Sequence, residues 1–150
     1  MAIDDDHLTT HFGRIWPAHV EALTELLIQL RQQFDGDLDL MLILGIIGTR
    51  TQPARLASAM TYAQFTAHDR PTPVSRPINI QSVAECSGIA RETVRRKVGR
   101  LENMGLVTRE ANGNLLVTPQ ATGELTPSTE ASLRYMAVMR KHYGNEGQHS

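Results

Sequence analysis

A single cysteine, Cys86, leaves no partner for an intramolecular disulfide, and nothing in the sequence resembles a secretory signal peptide. Both observations make the cytoplasm the expected compartment. Charge excess is missing too. The formal net charge of the 150 residues is −1, which argues against indiscriminate binding to polyanions. The run from Leu38 to Ile47 is intensely apolar, but it falls far short of the roughly 20 residues that a membrane span needs. It reads as a buried helix, and no membrane partner is expected. No HExxH, Walker-type glycine loop, CxxC pair or GxSxG elbow occurs, so the sequence offers no basis for an enzyme or for a cofactor. Internal repeats and low-complexity tracts are lacking as well. His7 and His11 stand four residues apart beside Asp4, Asp5 and Asp6, a spacing that could hold a metal. A frayed acidic terminus is the preferred reading, and no metal is expected.

The composition, 41% hydrophobic and 21% charged, is ordinary for one compact domain large enough for a core. The distribution of charge says more than its total. Residues 1–40 carry eight carboxylates against two arginines, a net of −6, whereas residues 50–76 have a net of +3 and residues 85–110 a net of +2. One end repels phosphate and the middle attracts it.

The most informative stretch runs from Ile78 to Thr118. It reads as a short strand, Ile78–Ile80, then two helices about a Ser87-Gly88 turn, then a hairpin whose tip is Asn112-Gly113. Ser82 is the expected N-cap of the first helix, with Glu85 at the capping-box spacing. Val83 and Ala84 should face inward, and Gly88 permits a positive φ at the turn. The second helix has one apolar stripe, Val94, Val98 and Leu101. The opposite side carries Glu92, Arg96, Gly99 and Asn103, with Thr93 and Arg100 beside them. Five basic side chains, Arg91, Arg95, Arg96, Lys97 and Arg100, crowd into ten residues. A helix with one dry and one cationic face suits the DNA major groove, and a merely solvated face is the blander alternative. Gly105 fits the position just past the helix end. The Asn112-Gly113 dipeptide favours a type I′ turn or a close variant, with Arg109 on the ribbon before it.

At these residues the chain resembles the winged helix-turn-helix of bacterial transcription regulators. Arg91-Glu92-Thr93-Val94-x-Arg96 is similar to the recognition helix of the Crp/Fnr family, and the ending Arg100 to Val107 is shared in style by the MarR, GntR and Crp groups. The resemblance covers about forty of the 150 residues. Ala90 stands where a serine or threonine commonly caps such a helix. By layout, helices before and after the module, the chain is most similar to MarR, and the resemblance implies a homodimer built from the first and last helices.

Those flanking segments read as follows. A first helix begins between Leu8 and Pro17, with Pro17 suited to its first turn. Val20, Leu23, Leu27, Leu30 and Phe34 form a narrow seam, widened by Leu26 and Ile28, for a partner helix or for the chain's own core. Asp35-Gly36-Asp37 breaks it, and Asp37 caps an apolar helix from Leu38 to about Thr49. Another helix is expected from Pro53 to about Ala67, then a proline-rich loop over 68–77. A last helix starts at Thr126 or Ser128, with the stripe Leu133, Met136, Ala137 and Tyr143 flanked by Met139. Trp16, Tyr62 and Phe65 are either core residues or the lining of a small-molecule effector pocket. Cys86 reads as a small core residue rather than a redox sensor.

The expected fold is mainly α with a small β-hairpin wing: one domain over 1–150, with a winged helix-turn-helix at about 37–119 and helical dimerisation extensions at about 8–35 and 126–143. The expected function is sequence-specific binding of double-stranded DNA by a homodimer on an inverted repeat, regulating transcription. Arg91, Glu92, Thr93, Arg95, Arg96, Lys97, Arg100 and Arg109 are the candidate contacts. A protein-interaction winged helix without DNA contact and a replication or partition module are the alternatives.

Overall fold

Leu40, Ile43, Leu44 and Ile47 recur along one side of a helix, and in the computed structural model of the chain all four are buried in one hydrophobic core cluster. The structure describes residues 5–51, 60–67 and 78–143. Among these it has helices α1 (Asp6–Thr10), α2 (Phe12–Gln33), α3 (Leu38–Thr51), α4 (Tyr62–Thr66), α5 (Ile80–Ser87) and α6 (Arg91–Asn103). Strands β1 (Val107–Arg109) and β2 (Leu115–Val117) and helices α7 (Ala121–Glu124) and α8 (Thr126–Tyr143) follow. The protein is therefore mainly helical with one small antiparallel hairpin, and none of the described helices is long and apolar enough to cross a membrane. The chain divides into two compact units: Met1–Gln33 with Pro127–Ser150, and Phe34–Thr126.

In the unit Phe34–Thr126, α3 packs against α5, α6 and β2. Val94, Val98 and Leu101 of α6 are fully buried, as their spacing requires, together with Phe34, Val83 and Leu115. Asp35 and Gly36 both adopt positive φ, 54° and 81°, and so turn the chain sharply into α3. The Asp37 Oδ1 accepts from the Asp39 amide at 3.1 Å, which caps α3 as the sequence suggests. α5 ends at Gly88, whose φ of 74° is the left-handed value a Cβ disfavours. α6 ends in the paired bonds of a Schellman motif: Leu106 N–H donates to the Leu101 carbonyl and Gly105 N–H to that of Glu102, both at 3.0 Å.

Several local features differ from what the sequence predicts. Ile78–Ile80 is not a strand: Asn79, whose side chain accepts from the Ser82 amide at 2.9 Å, caps a helix that already starts at Ile80. The Ile78 carbonyl still accepts from the Leu115 amide at 2.8 Å, a single strand-like bond. Glu85 does not close a capping box but accepts from the Gln81 side chain. The capping box lies instead at Thr61, which exchanges bonds of 3.2 and 2.9 Å with Gln64. It starts the short α4, so no single helix runs from residue 60 to Ala67. The rest of the expected helix, 52–59, and the loop 68–77 lie outside the described residues. In the hairpin, Val107 pairs with Val117 and Arg109 with Leu115. Positive φ occurs at Gly113 but not at Asn112, so the turn is not type I′. Gly113 N–H donates to the Glu110 carbonyl and Glu110 N–H to that of Asn114, at 2.9 and 2.8 Å, making the longer loop closed by a left-handed glycine. Cys86 is exposed rather than in the core.

The unit containing α1, α2 and α8 is built differently. Pro17 lies inside α2 rather than in its first turn. Phe12 and Trp16, stacked with centroids 5.3 Å apart, line the turns before and at the proline, where a backbone donor is missing. Ile15, Ala22 and Leu30 of α2 and Ser128, Ala131 and Met139 of α8 are buried. Two polar contacts select these faces: the Tyr135 hydroxyl lies 2.7 Å from His19 Nδ1, and the Ser128 hydroxyl donates to Gln33 Oε1 at 3.2 Å. The expected α8 stripe is therefore turned outward, with Leu133 and Met136 exposed. Val20 and Leu27 of the α2 seam are exposed as well.

Truncating Leu101 to alanine is expected to cost about 2–5 kcal/mol, because it removes a fully buried side chain and leaves a cavity. Gly88→Ala should cost about 1–2 kcal/mol through its left-handed backbone alone, since nothing lies within 4 Å of the added Cβ. Urea unfolding measures both, and the reverse ranking would contradict this account of the unit.

Candidate functional site

α6 owes its orientation to having apolar residues on one side only. With about 100° per residue, burial of Val94, Val98 and Leu101 turns Glu92, Arg96 and Asn103 outward. All three are exposed, as are Arg91 and Arg95. Gly99 lies on the same side and has open space where a Cβ would stand. Thr93 is half-buried. Ala90 supplies no side-chain cap.

Most of the cations on and beside this helix are already paired. Arg95 donates through Nε to both Glu92 oxygens at 3.1 Å and through Nη2 at 2.5 Å. The bonds to Arg95 and then its charge hold the Glu92 carboxyl below its ordinary pKa, and the Arg95 guanidinium is raised in turn. Arg109 of β1 donates to Glu102 Oε1 at 2.9 Å, tying the hairpin to the C-terminal part of α6. Arg91 and Arg96 form no ion pair among the described residues.

Lys97 is the main departure. The sequence places it beside the exposed face as a free cation, whereas it is buried and donates to Asp37 Oδ2. Arg100 Nη1 donates to the same oxygen at 3.0 Å. Lys97 sits next to Leu101 on the helical wheel, roughly 60° from the centre of the apolar stripe. That position was the available signal for burial. No sequence pattern announced its partner, because Asp37 lies sixty residues earlier. Glu102 was missed likewise, since its partner is on another element. Burial pushes the Asp37 carboxyl up, but the Lys97 bond and charge, the Asp39 amide and Arg100 together outweigh that, so its pKa lies below the ordinary value.

No group of three or more His, Cys, Asp or Glu side chains stands ready for a metal among the described residues. In the other unit an open cleft of about 380 Å³ is lined by Arg14, Glu21, Glu25 and His142 beside Ala22 and Val138, without Trp16. Tyr62 is exposed and belongs to the short α4 with Phe65. Comparisons with protein-family models, curated proteins and solved structures return no match.

The Asp37 contact gives a pH dependence with a definite sign. Its pKa is lowered on folding, so its contribution to stability is complete above the unfolded carboxylate value, about 3.9, and is lost as pH falls through the folded value. Asp37→Asn should lower stability at pH 7 by about 1.5–3 kcal/mol, the range for a hydrogen bond to a charged group. The deficit should shrink as the wild type is acidified below pH 4. Thermal melts at pH 7, 5 and 3 measure it, and a gap that widens on acidification would contradict the assignment.

Proposed function

We propose that the protein binds double-stranded DNA in a sequence-specific manner through the outward face of α6, as a winged helix-turn-helix regulator of transcription. The observation that carries this reading is the placement of Glu92 and Arg96 on the solvent side of a helix whose opposite side is fully buried, with Arg91 exposed at its N-terminal end. α5, the Gly88 turn and α6 supply the helix-turn-helix, and β1–β2 supplies the wing. A major groove admits such a helix, and guanine O6 and N7 together accept a bidentate arginine. Glu92 can accept from cytosine N4 once it is shared with or released by Arg95. Gly99 leaves the approach unobstructed. Arg95, Arg100 and Arg109 contribute to phosphate contacts to the extent that their carboxylate partners allow, and Lys97 serves the fold instead.

The functional unit in this reading is a homodimer. Among the described residues, nine of the eleven exposed large hydrophobics, including Trp16, Leu27, Ile28, Leu133 and Met136, belong to α2 and α8. Such a concentration exceeds what scattered surface residues account for and suits a partner. A twofold assembly would set two α6 helices about 34 Å apart or a multiple of that, facing an inverted repeat.

One observation favours a second reading. Arg95, Lys97, Arg100 and Arg109 are all engaged with carboxylates, which lowers the charge available to phosphate and suits a winged helix that binds another protein. Retention on random DNA with its salt dependence separates the two, because counterion release makes DNA affinity fall linearly with the logarithm of salt concentration. Salt-insensitive or absent retention would favour the protein partner.

For the DNA reading, Arg96→Ala is expected to cost about 1–3 kcal/mol on a site selected from random sequence. It should also relax preference at one position of each half-site. Titrations on single-base variants measure this; an undiminished preference would remove Arg96 from the base-reading face. Light scattering at tens of micromolar should report a dimer, and a monomer that stays single on DNA would overturn the twofold arrangement.

A further inference from the structure

We infer that Asp37 is a positioning residue for base reading: its carboxylate fixes the rotation of α6 about its own axis and neutralises charge that α6 would otherwise offer to any DNA. The inference rests on the DNA-binding reading and adds a residue that lies outside α6, at the start of α3.

The geometry is that of a brace. The sharp turn at Asp35 and Gly36 delivers Asp37 beside α6. Its two oxygens divide the work: Oδ1 accepts from the Asp39 amide at 3.1 Å, and Oδ2 accepts from Lys97 and, at 3.0 Å, from Arg100. One carboxylate thus ties the first turn of α3 to the middle of α6. On the wheel, Lys97 and Arg100 lie roughly 60° and 120° to one side of the buried stripe, and Glu102, bonded to Arg109, about 80° to the other. α6 is therefore held by an apolar stripe beneath it and an ion pair on each flank.

The stripe sets the rotation only coarsely. Val94, Val98 and Leu101 are aliphatic, and burial is non-directional. A roll of some 20–30° would keep them covered yet carry Arg96 off the centre of the exposed face. Charge-assisted hydrogen bonds are directional and resist that roll. Of the two braces the Asp37 one is better shielded: the side chains of Lys97 and Asp37 are 11% and 20% exposed, against 35% each for Arg109 and Glu102. Solvent and salt weaken it less.

The second consequence concerns affinity. Asp37 serves two cations at once, so α6 presents less positive charge than its sequence suggests. Asp37→Asn retains the shape and an oxygen able to cap α3, but it releases Lys97 and Arg100. The variant should bind random DNA more tightly and steepen the salt dependence, by up to about one unit of slope per freed cation. It should lose discrimination among sites at the same time.

The test is a set of fluorescence titrations of the full chain on a site selected from random DNA, its single-base variants and a random duplex. Each is run at three salt concentrations, with melting curves to verify folding. Asp37→Asn is expected to bind the random duplex more tightly with a steeper slope, and to reduce discrimination against single-base variants several-fold. Asp37→Glu, which keeps the charge, should restore much of that discrimination. Lys97→Met removes the better-shielded of the two bonds to Asp37, leaves the Arg100 bond in place and adds no free cation, so it should reduce discrimination without steepening the slope. A folded Asp37→Asn with wild-type preference and slope overturns the inference. If Asp37→Asn does not fold, full discrimination by Lys97→Met overturns it equally. A wild-type chain with no salt-dependent DNA binding removes the DNA reading itself, and this inference falls with it.

Discussion

The burial of one face of α6 against α3 is the constraint from which the rest of the larger unit follows. α3 buries Leu40, Ile43, Leu44 and Ile47 along one side, while Asp39, Leu42 and Thr49 on its other side are exposed, so that one apolar side must be covered. α5, α6 and β2 supply that cover. α6 has a single apolar stripe, so covering α3 uses up its only dry side. Everything else on α6 is thereby committed to the edge of the contact or to solvent. The outward face of Glu92, Arg96 and Asn103 is thus a by-product of core packing, and no surface interaction is needed to create it.

Polar contacts then refine what packing leaves loose. The Gly88 turn and the Schellman end of α6 fix where the helix starts and stops, because a left-handed glycine satisfies the turn without a Cβ clash. Asp37 on one flank and the Glu102–Arg109 pair on the other add direction. These ion pairs also change the meaning of the basic cluster. Six cations in residues 91–109 suggest a strongly positive surface, yet four of them face a carboxylate. Arg91 and Arg96 are left as the cations of this stretch without an ion pair among the described residues.

The unit of α1, α2 and α8 obeys a different economy of surfaces. The buried seam combines the large Ile15, Leu30 and Met139 with the small or polar Ala22, Ser128 and Ala131, while Trp16, Leu27, Ile28, Leu133 and Met136 remain exposed. A hydrogen bond between the side chains of Ser128 and Gln33 and another joining His19 and Tyr135 choose that seam over the more apolar alternative. Helices chosen this way are left with other large apolar side chains unmatched within one chain. That is the physical ground for proposing a second copy as the partner.

Local features were legible in the sequence because their signals span three or four residues. The Val94/Val98/Leu101 stripe, the Asp37 cap, the left-handed Gly88 and the Gly105 helix end all depend on neighbours within one turn, and the structure has each of them. The misreadings fall where two local signals compete or where a partner is distant. Asn79 and Ser82 both suit a cap, and the one nearer the end of the Ile78 bond to β2 takes it. Asn112-Gly113 suits a two-residue turn, but the pairing of Arg109 with Leu115 leaves more residues in the loop than a type I′ turn holds. Lys97, read from its own helix, is a free cation. Only folding brings Asp37 across sixty residues of sequence and converts that cation into a buried brace. Helix periodicity and capping belong to the chain itself, whereas the identity of a charge's partner, and of the face a helix buries when two are available, is decided by tertiary packing.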